Sequence, residues 1–170
     1  MKKIFTLVAF VCLTAISVQA QKYAIIDTRY VFEKMPEYKQ VQREIETQAA
    51  TWQKEIDAKQ AVLDNLYADY DAEQNMMSED LKRKKEDELF DKEKELRDLQ
   101  KKRFGFEGDL FKKRQELMEP LQQKVGEAVS RLARANGYDL VLDKSETKSI
   151  IFADPKLDKS EDLLKELRLK

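Results

Sequence analysis

Along the middle of the chain, apolar side chains recur at steps of three and four. From Tyr38 the series runs through Val41, Ile45, Ala49, Trp52, Ile56, Leu63 and Leu66 to Tyr70, with Lys59 as its one polar slot. A second series runs from Leu89 through Leu96, Leu99, Phe106, Leu110, Leu117, Leu121, Val125 and Ala128 to Leu132. Lys92, Arg103 and Lys113 fill its polar slots. Such spacing turns one stripe of each helix toward a partner and leaves charged residues outward. The steps alternate too irregularly for a strict heptad, so loose supercoiling is expected. Between the two series lies EQNMMSED (73–80). Asn75 suits a helix stop, Ser78 an N-cap, and Glu79 and Asp80 the positive first turn of a new helix. Pro36 and Pro120 stand equidistant from Ser78. The pattern predicts an αα-hairpin with arms of about 40 residues, each extending ~60 Å.

The flanking segments follow another pattern. KYAIID (22–27) reads as a short apolar strand, and Thr28 is placed to cap a brief helix before Pro36 interrupts it. On the return side, Pro120 predicts a kink and Asn136–Gly137 a helix end. Two short runs follow, Tyr138–Asp143 and Ser149–Phe152, both read as strands. In the first, Tyr138, Leu140 and Leu142 share one face while Asp139 and Asp143 share the other, a half-buried pattern. After Pro155 a last helix is expected, with Asp158 and Glu161 at capping-box spacing and Leu163, Leu164 and Leu167 as its apolar stripe.

A hairpin returns the chain to its start, so the N-terminal strand should lie beside the C-terminal pair. The expected fold class is α+β and mostly helical. A hairpin over residues 36–119, its tip near 75–78, stands on a small β body made of residues 21–35 and 120–170. A body of that size is marginal alone. Oligomerisation through strand edges is the economical way to steady it. Ile25, Ile26, Leu140, Leu142, Ile150 and Phe152 are the residues expected to build the oligomer body.

The first twenty residues are of a third kind. MKKIFTLVAFVCLTAISVQA has a basic start, an apolar run and small residues at Val18 and Ala20. That is a secretory signal cleaved after Ala20, shorter than the ~20 apolar residues a membrane span needs. Cys12 lies within the apolar run behind bulky Phe10 and Val11, unlike a lipid-attachment cysteine. Removing Lys2 and Lys3 leaves 30 basic against 33 acidic side chains, a net of −3, with no Cys and no His. Export permits disulfides, yet none is available. Thiol and imidazole catalysis and zinc binding are thereby excluded, and no Gly-rich phosphate loop occurs. The reading is not an enzyme, with no cofactor and no metal. DYDAE (69–73) has alternating acids, but lacks the Gly and distal Glu of a calcium loop. The basic runs KRKK (82–85), KKR (101–103) and KKR (112–114) are interleaved with acids, which speaks for solvated helix faces and against nucleic acid.

The whole chain beyond residue 20 resembles the Skp/OmpH family of periplasmic chaperones. The resemblance is carried by YAIIDTRYVFEKMPEYK (23–39), the charged hairpin, and RANGYDLVLDKSETKSIIFADPKLDKSEDLLKEL (134–167). It implies a homotrimer with a β-barrel-like body and three helical tentacles around a cavity. It also implies the periplasm as location, and unfolded outer-membrane proteins as partners, held without ATP. Members are often basic, which helps them engage anionic lipid or lipopolysaccharide. This chain has a pI near 5.8, so no lipid-binding site is carried over.

Several residues stand out for such a role. In RFGFEGDLF (103–111), Gly105 and Gly108 each cost about 1 kcal/mol relative to Ala inside a helix. They suit a flexing point in the tentacle or a close helix approach. Phe104 and Phe111 share one helical face, whereas Phe106 and Leu110 lie about 100–160° around from them. One partner helix cannot cover both sets, so a second apolar stripe is expected, facing clients, another hairpin or the body. Met76 and Met77 at the tip suit promiscuous contact, or closure of the turn. Lys82 and Arg83 are placed to steer acidic client segments. The chain reads as an ATP-independent holdase. The alternative is a coiled-coil spacer or adaptor of the cell envelope, which calls for a rigid, continuous seam.

Overall fold

The computed structural model describes residues 21–145 and 150–169. The expected secretory signal with Cys12, and Ser149 of the expected last strand, lie outside the described residues. Strand β1 (Tyr23–Ile26) is followed by helix α1 (Thr28–Lys34), then by α2 (Pro36–Glu73), a single helix of 38 residues. A 3-10 turn over Gln74–Met76 leads into α3 (Glu79–Phe104). The return arm resumes as α4 (Asp109–Asn136), followed by strand β2 (Leu140–Asp143) and a final helix α5 (Ser160–Glu166). Pro36 takes the first position of α2, where its missing N–H is harmless. The Ser78 side chain accepts from Leu81 N at the tip, with Glu79 and Asp80 in the first turn of α3. Gly137 closes α4 in the left-handed region at φ 66°.

The return arm is not one continuous helix. The sequence leads us to expect a weakened but unbroken arm; instead the chain leaves the helix at Gly105 and re-enters it at Asp109. The break is held by Gly105 N donating to Lys101 O at 2.9 Å and Gly108 N donating to Gly105 O at 2.9 Å. Backbone crowds both glycines. A Cβ on Gly105 would meet Lys101 O at 2.3 Å, and one on Gly108 would meet Lys102 O at 2.8 Å. Glu107 between them takes φ 53°, a conformation uncommon outside glycine. Pro120, in contrast, sits inside α4 without ending it.

The small sheet also departs from expectation. β1 and β2 pair in parallel, Tyr23 opposite Leu140 through Ile26 opposite Asp143, with the hairpin as the crossover. Residues 150–154 form no strand, so the described sheet has two strands rather than three. The far edge of β1 is occupied by Asp158 and Lys159, whose N–H donates to Ile25 O at 2.7 Å. A third strand therefore finds no free edge there. The faces of β2 are reversed as well. Val141 packs on the core and Asp143 turns inward, while Leu140 and Leu142 are 46% and 39% exposed. Alternation fixes which residues share a face; it does not say which face is buried.

Two helix starts differ in their caps. Asp27, not Thr28, caps α1, its carboxylate accepting from Tyr30 N at 3.0 Å. Asp158 and Glu161 do not form a capping box. Asp158 accepts from Ser160 N and Oγ at 2.9 and 2.7 Å, and Glu161 accepts from the Tyr30 hydroxyl at 2.6 Å. Both carboxylates tie α5 into the base.

Most of the buried side chains fall into two separate clusters. The base cluster joins Ile26, Val31 and Met35 to Val41 and Ile45 of α2, to Leu121, Val125, Ala128 and Leu132 of α4, and to Leu163, Leu164 and Leu167. The arm cluster contains only Ile56, Leu63, Leu89 and Leu96. A hairpin end held by four buried side chains has little apolar burial to resist opening. We expect amide exchange in residues 56–100 to proceed by local opening well before the base exchanges. Equal protection in both halves, read by hydrogen-exchange mass spectrometry, would contradict this division.

Acid should loosen the base. Burial raises the Asp143 pKa, but hydrogen bonds outweigh it: the carboxylate accepts from Thr28 Oγ1 at 2.5 Å and from Ser145 N and Oγ, both at 2.9 Å. The net effect holds Asp143 below its usual range. A depressed carboxylate contributes stability above its unfolded pKa of about 3.9, and loses it as pH falls through the lower folded value. The urea midpoint should therefore fall steeply below about pH 4, and by less in Asp143→Asn. An unchanged pH dependence in that variant would remove Asp143 from the account.

Candidate functional site

No described residues form a cluster of the kind that ligates a metal ion, and no described helix is long and apolar enough to cross a membrane. Exposed apolar and charged surfaces occur on the arms and on the base. Those on the arms follow from how the arms are tied together. Glu37 pairs with Lys124 at 2.6 Å, Glu44 with Lys113 at 3.3 Å and Glu55 with Arg103 at 3.0 Å. Nearer the tip, the Tyr70 hydroxyl donates to Glu86 at 2.6 Å and Tyr67 donates to Glu93. Exposed pairs of this kind contribute little energy each, but they fix register between antiparallel helices.

Arg103 is the most constrained of these groups. Its guanidinium bonds Asp109 at 2.7 Å across the break and Glu55 on α2, and it lies over the Trp52 ring at 5.0 Å. The Asp109 bond raises its pKa most; burial opposes this and Glu55 reinforces it. Its Nε is buried with no hydrogen-bond partner. The clamp occupies the seam between the two buried clusters, where periodicity marked Arg103 as a polar slot.

The break rearranges the phenylalanines. In a continuous helix Phe106 would face the seam; here it is 96% exposed. Phe104 and Phe111 are 39% and 46% exposed, and Leu110 is half-buried. Instead of forming two stripes, all four line one hollow of about 250 Å³, together with Gly105, Glu107 and Arg114. The expected second stripe is thus a single aromatic patch at the break.

The other expected sites are distributed differently. Met76 is 84% exposed at the tip, while Met77 is half-buried. Lys82 is engaged locally with Glu79 at 3.1 Å, and Arg83 is exposed. In the base, Ile25 and Ile26 are buried within their own chain, Ile150 is half-buried, and Leu140, Leu142 and Phe152 are exposed. Ile151, at 95% exposure, and Phe152, at 86%, add further exposed apolar surface in the base. Phe90 and Val62, 61% and 54% exposed on the arms, were missed from the sequence. Their signal was present: both are apolar residues off the seam series.

The model of the family described as outer membrane protein (OmpH-like) matches residues 22–167. This chain belongs to the OmpH-like family. The chaperone protein Skp of Yersinia enterocolitica is 25% identical to it over 152 residues, 89% of each chain. A solved OmpH-like outer membrane chaperone from Caulobacter crescentus CB15 superposes with a TM-score of 0.69 at 16% identity. The match covers 86% of this chain and 83% of that one. The likeness in fold extends to the helical hairpin on a small strand region, the fold class expected from the sequence.

Proposed function

We propose that this OmpH-like protein is an ATP-independent holdase of the periplasm that keeps unfolded outer-membrane proteins from aggregating. Its membership of the Skp/OmpH family supports a chaperone of outer-membrane proteins. The observation that carries the mechanism is the apolar surface left bare on charged arms, above all at Phe104, Phe106, Phe111 and Phe90. Unfolded chains would make many weak contacts with such arms, and several arms around one client turn weak contacts into avidity.

In this reading residues 36–119 are the tentacle, and residues 21–35 with 120–170 are the assembly body. Copies associate through exposed Leu140 and Leu142, through Ile151 and Phe152, and through the edge of β2 that pairs with no other described strand. Three copies is the number the family resemblance implies. The charged arm surface keeps a loaded complex soluble.

The test is to dilute a urea-unfolded outer-membrane β-barrel protein into buffer with the purified protein, without ATP, and follow light scattering. Suppression near one oligomer per client supports the holdase. Undiminished scattering at large excess sinks it and favours the envelope spacer.

A further inference from the structure

The hollow at the break has features that neither arm length nor periodicity requires. It is concave, lined by Phe104, Phe106, Leu110 and Phe111. The chain on either side of it is rich in cations. Lys101, Lys102 and Lys112 lie within about a helical turn of the break and Arg114 lies two residues beyond Lys112, and none forms an ion pair among the described residues. Arg114 lines the hollow itself. Of the nearby acids, Asp109 is held by Arg103 and Glu116 by Lys113 at 3.8 Å, while Glu107 and Asp98 form no ion pair among the described residues. An aromatic hollow with Arg114 in its lining, and with Lys101, Lys102 and Lys112 close by along the chain, is complementary to an apolar side chain flanked by carboxylates.

The hollow exists only while the break keeps its shape. Helix α2 runs past it without interruption and carries Glu55 and Trp52. Arg103 ties the end of α3 to that helix and to the first residue of α4. This argues against a free hinge at Gly105 and Gly108. The glycines let the chain turn out, and the Arg103 clamp fixes how far.

We propose that the Phe104–Phe106–Phe111 hollow is a discrete subsite for a large apolar side chain next to acidic residues in an unfolded polypeptide, with Arg103 as its positioning residue. The subsite rests on the holdase reading and specifies which client segments the arm takes first. One site of this size binds weakly, so its use depends on repetition along a client and across arms.

The test uses the purified protein and an unstructured peptide with one Phe between two Asp, binding being read from broadening of the peptide ring resonances. The companion peptide places the Phe between two Lys. The acidic peptide should bind at least tenfold more tightly, and the double variant Phe106→Ala/Phe111→Ala should lose it. Arg103→Gln should weaken the acidic peptide about fivefold and red-shift emission from Trp52, the one tryptophan, with the unfolding midpoint little changed. Arg103→Lys should recover part of the affinity.

Equal binding of the two peptides, or full binding by the double variant, overturns the subsite. A shifted Trp52 emission with unchanged peptide affinity in Arg103→Gln overturns the positioning role. Phe106-dependent binding to phosphatidylglycerol vesicles without peptide binding also overturns it and points to a lipid surface. The scattering assay is separate: suppression without peptide binding ends this proposal and leaves the holdase intact.

Discussion

Leu163→Ala should lower the stability of the base by about 2–5 kcal/mol, the range for emptying a fully buried leucine site. Leu163 is completely buried, alongside Met35 and Val31. It lies on the short helix α5, which packs on α1 and α4. A seven-residue helix has almost no stability of its own, so its position depends on that packing. The loss is large against a typical total of 5–15 kcal/mol. Urea unfolding followed by far-UV circular dichroism measures it. Because the arm cluster shares no buried residue with the base, the substitution should leave local exchange near Leu63 and Leu89 unchanged. A cost under about 1 kcal/mol would mean that the α5 site collapses around the gap, or that the base owes its stability to something else.

The second large effect is functional. Replacing Phe104, Phe106 and Phe111 together by Ser should remove most of the suppression of client aggregation while changing stability little. Burial of a large apolar side chain contributes about 1.5–3 kcal/mol. These three are substantially exposed in the free chain, so the folded state gains only a fraction of that from them. A client that covers them recovers the rest. The expected readout is scattering close to the chaperone-free level with the helical signal retained. Full protection by the triple variant would move client contact elsewhere on the arms, to Phe90, Val62 and Met76.

The seam was legible in the sequence because helical periodicity reports contact directly. Val41, Ile45, Ile56, Leu63, Leu89, Leu96, Leu121 and Val125 are all buried in the slots the steps of three and four assign them. The turn and both helix ends were legible for the same reason: Ser78 and Gly137 do local chemistry that needs no tertiary context. Phe106 is the apolar slot that failed. Two glycines three residues apart suit a flexing point or a close helix approach in a continuous arm, but backbone crowding at both goes with the ends of a break. Nothing in the periodicity marks where it stops. The faces of β2 failed for another reason: a rule that puts leucine inward presumes that the chain supplies its own core. Here Leu140 and Leu142 face out, where the proposed assembly would cover them.

Photo-crosslinking tests most directly the proposed holding of clients on the bare aromatic surface at the break. A benzophenone amino acid is placed at position 106, and for comparison at 134, an exposed site on the base end of α4. Each protein is loaded with an unfolded outer-membrane protein and irradiated. The account predicts a client adduct from 106 and little or none from 134. Adducts from 134 alone, in a protein that still suppresses scattering, would contradict it.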